Sequence, residues 1–441
     1  MKTNIINIRL FIFFTMVLPF MIPAFSAAQE HVEVLTLEQT IEKAMKANLS
    51  LKISREEIKA AEAAKKAQRT HFFPTFSATY QYNRLDEGFN IGDFATGAKD
   101  KYSFVSSFTQ PIFTGFSILR KYNIADLGLD AAEIKKKLVR QNIILEAKTA
   151  YFMLLRAQKL RKIAEQTVIQ ITAQKNVAEN FYQVGMSPLN DLLQAQVELA
   201  NAKQELIVAK NNMENAESDF NTLLRRPINT PVAVEDILDY SPFEKDLDYC
   251  LAEADKNRLE IKIANLDVEI SEKELQLAKK DYYPSINLEG NYFREGTEWD
   301  VDGGEGIFDP SGWNILAVAK WNFFEWGRTS YGINEKISRL SQTQFRKDEI
   351  LDDIQQEVKK AYLRTQEAEK AIITVEKAIE QAKENFRINQ ERYKEQMATS
   401  TDVLDAQTLL SKTMTNYYNA LYAYKISKAS LYRAMGREII E

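Results

Sequence analysis

The chain repeats itself once, with a period of 210 to 211 residues. Segment 49–53 (LSLKI) matches segment 259–263 (LEIKI), and segment 146–151 (EAKTAY) matches segment 357–362 (EVKKAY). Solenoid proteins repeat every 20 to 50 residues or so, whereas a period this long indicates duplication of a whole structural unit. We therefore predict three regions in the mature chain, namely a first repeat at 29–225, a linker at 226–244 and a second repeat at 245–441.

Glycine and proline are scarce, since the 441 residues include only 15 Gly and 10 Pro. Long stretches without either residue favour long helices. Each repeat is predicted to begin with a helix of roughly 35 residues, at about 36–70 and 245–281, followed by a Pro and two strands. A helix of more than 60 residues, a short turn and a helix of about 35 residues complete it. Roughly 65 helical residues span on the order of 100 Å, so these helices must pack along one another.

The last helix of each repeat carries a seven-residue hydrophobic period. A parallel column of small residues, mostly Ala, keeps the same step beside the large ones. This pattern predicts coiled-coil packing with close approach of neighbouring helices. The large residues are Leu192, Leu199, Leu206, Met213 and Phe220 in the first repeat, and Val403, Leu410, Tyr417, Tyr424 and Leu431 in the second.

Four segments alternate apolar and polar residues with the period of two that is typical of a strand. Each is about ten residues long, the length of a tilted strand that crosses a bilayer, and aromatic residues cluster near the ends. Strands of a soluble sandwich show the same alternation. The four predicted strands centre on Phe76–Tyr82, Tyr102–Phe108, Ile286–Tyr292 and Trp313–Phe323.

Four strands cannot close a membrane barrel, because the smallest known barrels have about eight, and open strand edges are not tolerated in lipid. If the strands span a membrane, several chains must therefore share one barrel. The segments between paired strands, 84–100 and 294–312, are predicted to be surface loops. The acidic run 300–305 has incomplete spacing for a calcium loop, so a solvated loop is the better interpretation.

The N-terminus has the features of a secretory signal. Lys2 and Arg9 give a basic start, an apolar run follows at 10–20, and Ser26-Ala27-Ala28 offers small residues for cleavage. An uncleaved membrane anchor is the alternative. Without residues 1–28 the chain has 55 basic and 62 acidic residues, a charge that argues against nucleic acid as a partner. Cys250 is the only cysteine, so no disulfide forms within the chain, and a buried apolar role is expected for it.

Several features together resemble the TolC-type outer-membrane efflux protein family, also called outer membrane factors, over about residues 35–437. They are the strand starts at Pro74 and Pro284, the Phe-Glu-Trp-Gly turn at 324–327, and the helix turn from Tyr393 to Ala406. The resemblance implies a mainly α fold in which a long coiled-coil helical tunnel in the periplasm joins a transmembrane β-barrel. Four strands per chain would build a 12-stranded barrel in a homotrimer.

The resemblance also implies site residues at the narrow end of the tunnel, near 184–190 and 395–401. Asp402 and Asp405 would point into the pore, where threefold symmetry makes rings of carboxylates that attract cations. Helix capping by Asp402 is the alternative, and the two roles are compatible. Tyr393 matches a position that helps to hold the entrance closed, although the basic partner expected five residues later is Ala398 here.

The turn at Gly185, Met186, Ser187 and Pro188 is the predicted docking tip for a periplasmic adaptor protein. An inner-membrane pump of the RND or ABC type and outer-membrane lipid are the other implied partners. The expected function is the outer-membrane duct of a tripartite efflux or type I secretion system.

Enzymatic activity is not expected, because the chain has two His, one Cys and no recognisable catalytic, nucleotide, cofactor or metal motif. A periplasmic coiled-coil stalk for structure or adhesion is the alternative function, and it explains the heptads but not the four strands. A periplasmic adaptor is a further alternative.

Overall fold

In a computed structural model of the protein, residues 34–86, 89–91, 94–237, 239–304, 306–307 and 309–438 are described. The predicted signal segment 1–28 lies outside these residues. Four long helices dominate, in two hairpins of equal dimensions. The first hairpin is α3 (Ser117–Gln183) with α4 (Leu189–Leu223), and the second is α7 (Arg328–Lys394) with α8 (Ser400–Ala434). The two longer helices have 67 residues each and the two shorter ones 35 each, which confirms the predicted long helices.

The helix that opens each repeat is broken in two, so the prediction of single helices at 36–70 and 245–281 is wrong. The segments are α1 (Leu37–Ala47) with α2 (Leu49–Thr70), and α5 (Leu247–Asn257) with α6 (Leu259–Ala278), followed by a 3-10 turn at Lys279–Tyr282. At the first break Asn48 adopts an extended conformation, and its side-chain oxygen accepts hydrogen bonds from the N–H groups of Ser50 and Leu51. Asn prefers this capping role to the interior of a helix.

The four predicted strands are present and form one antiparallel sheet. They are β2 (Thr75–Arg84), β5 (Asp100–Thr114), β7 (Ser285–Gly296) and β8 (Ser311–Lys320), in the order β2-β5-β7-β8. The central pair, β5 with β7, joins the two repeats, and places Ser107 opposite Asn291. β2 and β8 lie at the edges, and nearly every residue of both is exposed.

The segments between paired strands contain short β elements among their described residues. Within 84–100 a small hairpin forms from β3 (Phe89–Ile91) and β4 (Phe94–Gly97), so the prediction of a plain loop is wrong there. In the second segment β7 continues to Gly296, which bridges to Gly303. Arg294 forms an ion pair with Asp302 at 2.6 Å.

A small parallel sheet lies beside α3. Here β1 (Val34–Leu35) pairs with β6 (Ala233–Val234), and Leu35 and Val234 pack in one apolar cluster with Tyr151 of α3. The hydroxyl of Tyr151 donates to the carbonyl oxygen of Glu235 at 2.7 Å, which ties this two-stranded sheet to the helix. Tyr151 and Phe220 are fully buried in the largest apolar cluster. Cys250 is also buried, as expected.

The predicted coiled-coil seam is more completely buried in α8 than in α4. In α8 the heptad residues Val403, Leu410, Tyr424 and Leu431 are all buried, whereas Leu206 and Met213 of α4 are only half-buried. No helix in the described part of the chain is both long and apolar enough to cross a membrane.

Candidate pore entrance

The turn between α3 and α4 is built by standard helix-ending chemistry. The N–H of Met186 donates to the carbonyl of Phe181 at 2.7 Å, and Gly185 adopts a left-handed conformation with φ of 77°. These are the features of a Schellman cap, in which glycine is favoured. Pro188 directly precedes α4, and Met186 is half-exposed. The predicted docking tip is therefore an exposed turn whose backbone is held by the hydrogen bonds of the helix cap.

The turn between α7 and α8 repeats this geometry 211 residues later. The N–H of Met397 donates to the carbonyl of Arg392 at 2.7 Å, and Gln396 takes the left-handed place of Gly185 with φ of 60°. The guanidinium of Arg392 donates to the carbonyl of Met397 at 3.1 Å. The second turn thus gains a side-chain contact that the first turn lacks, because Phe181 stands at the position of Arg392.

Asp402 is the third residue of helix α8 and takes part in its N-terminal cap, in which Thr399 is the N-cap residue. One oxygen of its carboxylate accepts hydrogen bonds from the backbone N–H and the hydroxyl of Thr399, each at 2.8 Å. The N–H of Asp402 donates in return to the Thr399 hydroxyl at 3.2 Å, which completes a capping box. The hydrogen bonds from Thr399 lower the pKa of Asp402. The structure therefore supports the capping role, and the carboxylate-ring role stays a prediction.

Asp405 lies one helical turn further on and shares the exposed face with Asp402. Within the described residues it takes part in no hydrogen bond or ion pair that would hold its carboxylate. It is therefore the freer of the two acidic groups at the tip.

Tyr393 is buried, with 4% of its surface exposed, between the tips of the two hairpins. Its ring centre lies 5.4 Å from that of Phe181, so the side chain links α7 to α3 within one chain. Burial raises the pKa of its hydroxyl. Among the described residues, neither this hydroxyl nor that of Ser400 makes a well-formed hydrogen bond. Tyr393 thus packs between the two turns within one chain, and its role in closing the entrance stays a prediction.

Two further residues join the hairpin tips, and the sequence did not single them out for this role. Leu404 of α8 is buried in a cluster with Ile171 and Ala178 of α3 and with two alanines of α4. The hydroxyl of Thr401 donates to the side-chain oxygen of Gln194 at 2.7 Å. A heptad count does not identify Leu404, because the residue directly after Val403 lies roughly 100° around the helix from it. In the described part of the chain, no group of three or more His, Cys, Asp or Glu side chains could hold a metal ion.

Two equal helical hairpins, joined to a four-stranded sheet with open edges, define the subunit of an outer-membrane export channel. Residues 40–224 and 250–437 match the family model described as outer membrane efflux protein, and the chain belongs to that family. The predicted family, export function and outer-membrane location are confirmed, with the helical part in the periplasm. The family consists of channels and not enzymes.

Known proteins of this class align over most of the chain. The outer membrane protein TolC of Vibrio cholerae serotype O1 is 22% identical over 393 residues, which cover 86% of this chain and 85% of that protein. The Campylobacter jejuni CmeC outer membrane channel superposes with a TM-score of 0.80 and 19% identity, covering 91% of this chain and 85% of the other. The CusC channel superposes with a TM-score of 0.80 and 16% identity, covering 92% and 93%.

Proposed function

We propose that three copies of the chain form one continuous duct, with a shared 12-stranded barrel in the outer membrane and a helical tunnel in the periplasm. The observation that carries the proposal is the sheet. It has four strands, and both of its edge strands, β2 and β8, are unpaired on their outer sides. Such edges are not tolerated in lipid, and three copies supply twelve strands, enough to close a barrel.

The exposed aromatic residues support a lipid-facing surface. Trp313 and Phe76 project from the edge strands, and Phe323 and Trp326 follow β8 where the chain turns into helix α7. Aromatic side chains at strand ends suit the boundary between lipid and water. Outer-membrane lipid is the partner that this surface fits.

The hairpin tips are the proposed contact with the rest of a tripartite export system. A periplasmic adaptor would dock at Gly185, Met186, Ser187 and Pro188, and an inner-membrane pump of the RND or ABC type would deliver the cargo. The proposal is supported by the exposure of this tip and by the capping hydrogen bonds that hold its turn. In this proposal the duct guides export and the pump supplies the energy.

Native mass spectrometry of the detergent-extracted full chain tests the assembly. We expect a mass of three mature chains, and a single-chain mass would contradict the proposal. Co-purification with the adaptor tests the docking tip. Met186→Asp, which places a charge at the tip, should abolish co-purification, whereas Val184→Thr just outside the tip should not.

A further inference from the structure

The register of the four-stranded sheet separates an apolar face from a polar one. Because side chains alternate along each strand, residues paired directly across the strands share a face. On the polar face one row crosses all four strands, namely Ser77, Ser107, Asn291 and Asn314. In the proposed barrel the polar face lines the lumen and the apolar face meets lipid. The outward face of the sheet is therefore the one that carries Phe76, Tyr80, Tyr102, Phe108, Tyr292 and Trp313.

Arg294 places a positive charge on the outward face, in the same row as Tyr80 and Phe104. A charged side chain on the lipid face of a barrel is destabilising, and more so the deeper it lies. Here the guanidinium forms an ion pair with the carboxylate of Asp302 at 2.6 Å. Asp302 belongs to the segment after β7, so that segment folds back onto the outward face to reach Arg294.

A second contact holds the same segment over the same face. The hydroxyl of Tyr80 donates to the carbonyl oxygen of Trp299 at 2.6 Å. Tyr80 lies on the edge strand β2, and β5 separates that strand from β7, so the segment reaches across β5. Segment 297–303, the outer turn, therefore lies against the outside of the barrel wall and not above its mouth.

Packing and hydrogen bonds give the outer turn a defined shape. The N–H of Thr297 donates to the carbonyl of Gly303 at 2.9 Å, and Val301 is 7% exposed. Gly296 makes room for the turn, because a Cβ at this position would lie 2.7 Å from the Cα of Val301. Trp299 stays outside this packing and is 76% exposed. The turn thus holds one large aromatic side chain away from the barrel wall.

We propose that the outer turn binds lipid of the outer leaflet, with the indole of Trp299 in the boundary between lipid and water beside the barrel. The proposal rests on the proposed duct and assigns a role to the segment between β7 and β8. The long helices lie in the periplasm, so the opposite end of the sheet, where this segment is found, faces outward from the cell. An indole suits the boundary, because its ring is apolar and its N–H seeks a hydrogen-bond acceptor.

The charges beside Trp299 fix its depth. Glu298 and Asp300 flank it in the sequence, and both are exposed. Ionised carboxylates are costly inside a membrane, so these two side chains stay in water while the indole enters the boundary. The outer turn therefore resists both deeper insertion of the barrel, which would bury the carboxylates, and withdrawal of the barrel, which would expose the indole.

Quenching of tryptophan fluorescence by brominated lipid tests the proposal on the full chain. The chain has four Trp, so Trp313→Phe, Trp321→Phe and Trp326→Phe together leave the signal of Trp299 alone. The assembly is reconstituted into phosphatidylcholine vesicles brominated either near the headgroup or near the end of the acyl chain. Trp299 should emit at shorter wavelength than indole in water, and the bromines near the headgroup should quench it more strongly than the deep ones.

The matched reference is a chain that retains Trp313 alone, because this residue lies on the outward face of β8. Both kinds of brominated lipid should quench Trp313. Trp299→Phe in the otherwise native chain is a second test that avoids the triple substitution. It should remove part of the quenching by bromines near the headgroup, and a native level of quenching in this variant would contradict the proposal.

Asp302→Asn tests whether the ion pair with Arg294 holds the outer turn in place. In the chain that retains Trp299 alone, it should shift the emission towards that of indole in water and reduce the quenching, because a neutral amide no longer pairs with the guanidinium. Asp309→Asn, near the other end of the same segment, is the control and should change neither signal. Equal quenching of Trp299 with and without Asp302 would overturn the role of the ion pair.

The reference residue separates this inference from the proposed duct. If Trp313 is quenched and Trp299 is not, the outer turn does not bind lipid, and this inference is wrong while the duct stands. If neither residue is quenched, the sheet does not lie in lipid, and both proposals are refuted.

Discussion

Asp402 and Asp405 lie three residues apart on one helix, yet their surroundings differ. Asp402 accepts two hydrogen bonds from Thr399, whereas in the described part of the chain no such bond holds Asp405. Sequence spacing placed both on one face correctly, because helical geometry fixes that relation. It could not divide the roles between them, because the capping box depends on how the chain enters the helix at Thr399.

Asn substitution of the two acids separates capping from ion attraction. Asp402→Asn with Asp405→Asn should reduce the preference for cations over anions, and weaken block by divalent ions, in planar-bilayer recordings, because neutral amides no longer attract cations. Thr399→Ala is the control. It removes part of the cap and should cost about 1 kcal/mol of stability without changing selectivity. Unchanged selectivity in the double variant would contradict the carboxylate rings.

The lowered pKa of Asp402 makes its contribution to stability depend on pH. Because the pKa is lower in the folded state, the stabilisation is present above the unfolded value, near 4, and is lost as the pH falls through the folded value. The difference in thermal midpoint between the native chain and Asp402→Asn should therefore shrink on acidification below about pH 4. A difference that is constant with pH would show that the ionised cap does not matter.

Cys250 gives a simple test of packing. Burial raises the pKa of its thiol to about 11, so little thiolate is present near neutral pH. We expect a thiol reagent to label the native chain very slowly at pH 8 and fully in denaturant. Rapid labelling of the folded chain would show that the cluster around α5 is open.

At the scale of elements, the sequence predicted the long helices and four strands because period and breaker spacing reflect local geometry. The breaks at Asn48 and Arg258 were missed because the apolar helical pattern continues across both positions, although Asn48 is of a type that favours a helix start. At Arg258 the guanidinium bonds to the side chain of Glu357 at 2.7 Å and to the carbonyl of Ala434 at 3.2 Å. These partners lie 99 and 176 residues from Arg258 in the sequence, so a pattern of neighbouring residues cannot reveal them.

The ion-pair network at this break should stabilise the second repeat. Glu357 pairs with buried Arg258 and also with Arg433 at 3.0 Å. Glu357→Gln should lower stability by roughly 2 kcal/mol, less than for a fully buried pair because Glu357 is partly exposed. Glu42→Gln, which removes an exposed pair with Lys46, is the control and should leave stability unchanged, because solvent screens this pair. Equal effects in thermal or chemical unfolding would contradict the role of burial.

The strand β8 should lengthen when copies assemble. Two residues with left-handed conformations stand just before each of the two longest helices, namely Gly115 with Phe116 and Trp326 with Gly327. Because these pairs are equivalent, segment 321–325 corresponds to the last five residues of β5. That part of β5 is paired to β7, whereas 321–325 is not a strand in the single chain. Hydrogen exchange should show protected amides at 321–325 in the trimer and unprotected ones after heat dissociation. Fast exchange in both would contradict a paired edge.

At the scale of the whole molecule, the duplication gives one chain two helical hairpins of equal size on a shared four-stranded sheet. The long helices of the two repeats match in length and order, whereas the strands differ in length. The predicted limits at 29–225, 226–244 and 245–441 stay predictions. The sequence indicated that the strands must be shared among chains. It could not show that α3 of the first repeat packs along α6 and α8 of the second, because contacts between residues so far apart in the sequence arise only in the folded chain.

The central claim is that this chain builds a closed, water-filled duct, and single-channel recording of the purified assembly in a planar bilayer tests it most directly. We predict discrete, cation-selective conductance steps from the three-chain species, which disappear after heating dissociates it. A three-chain species that inserts into the bilayer and conducts no ions, even with Asp402 and Asp405 both neutralised, would contradict the account.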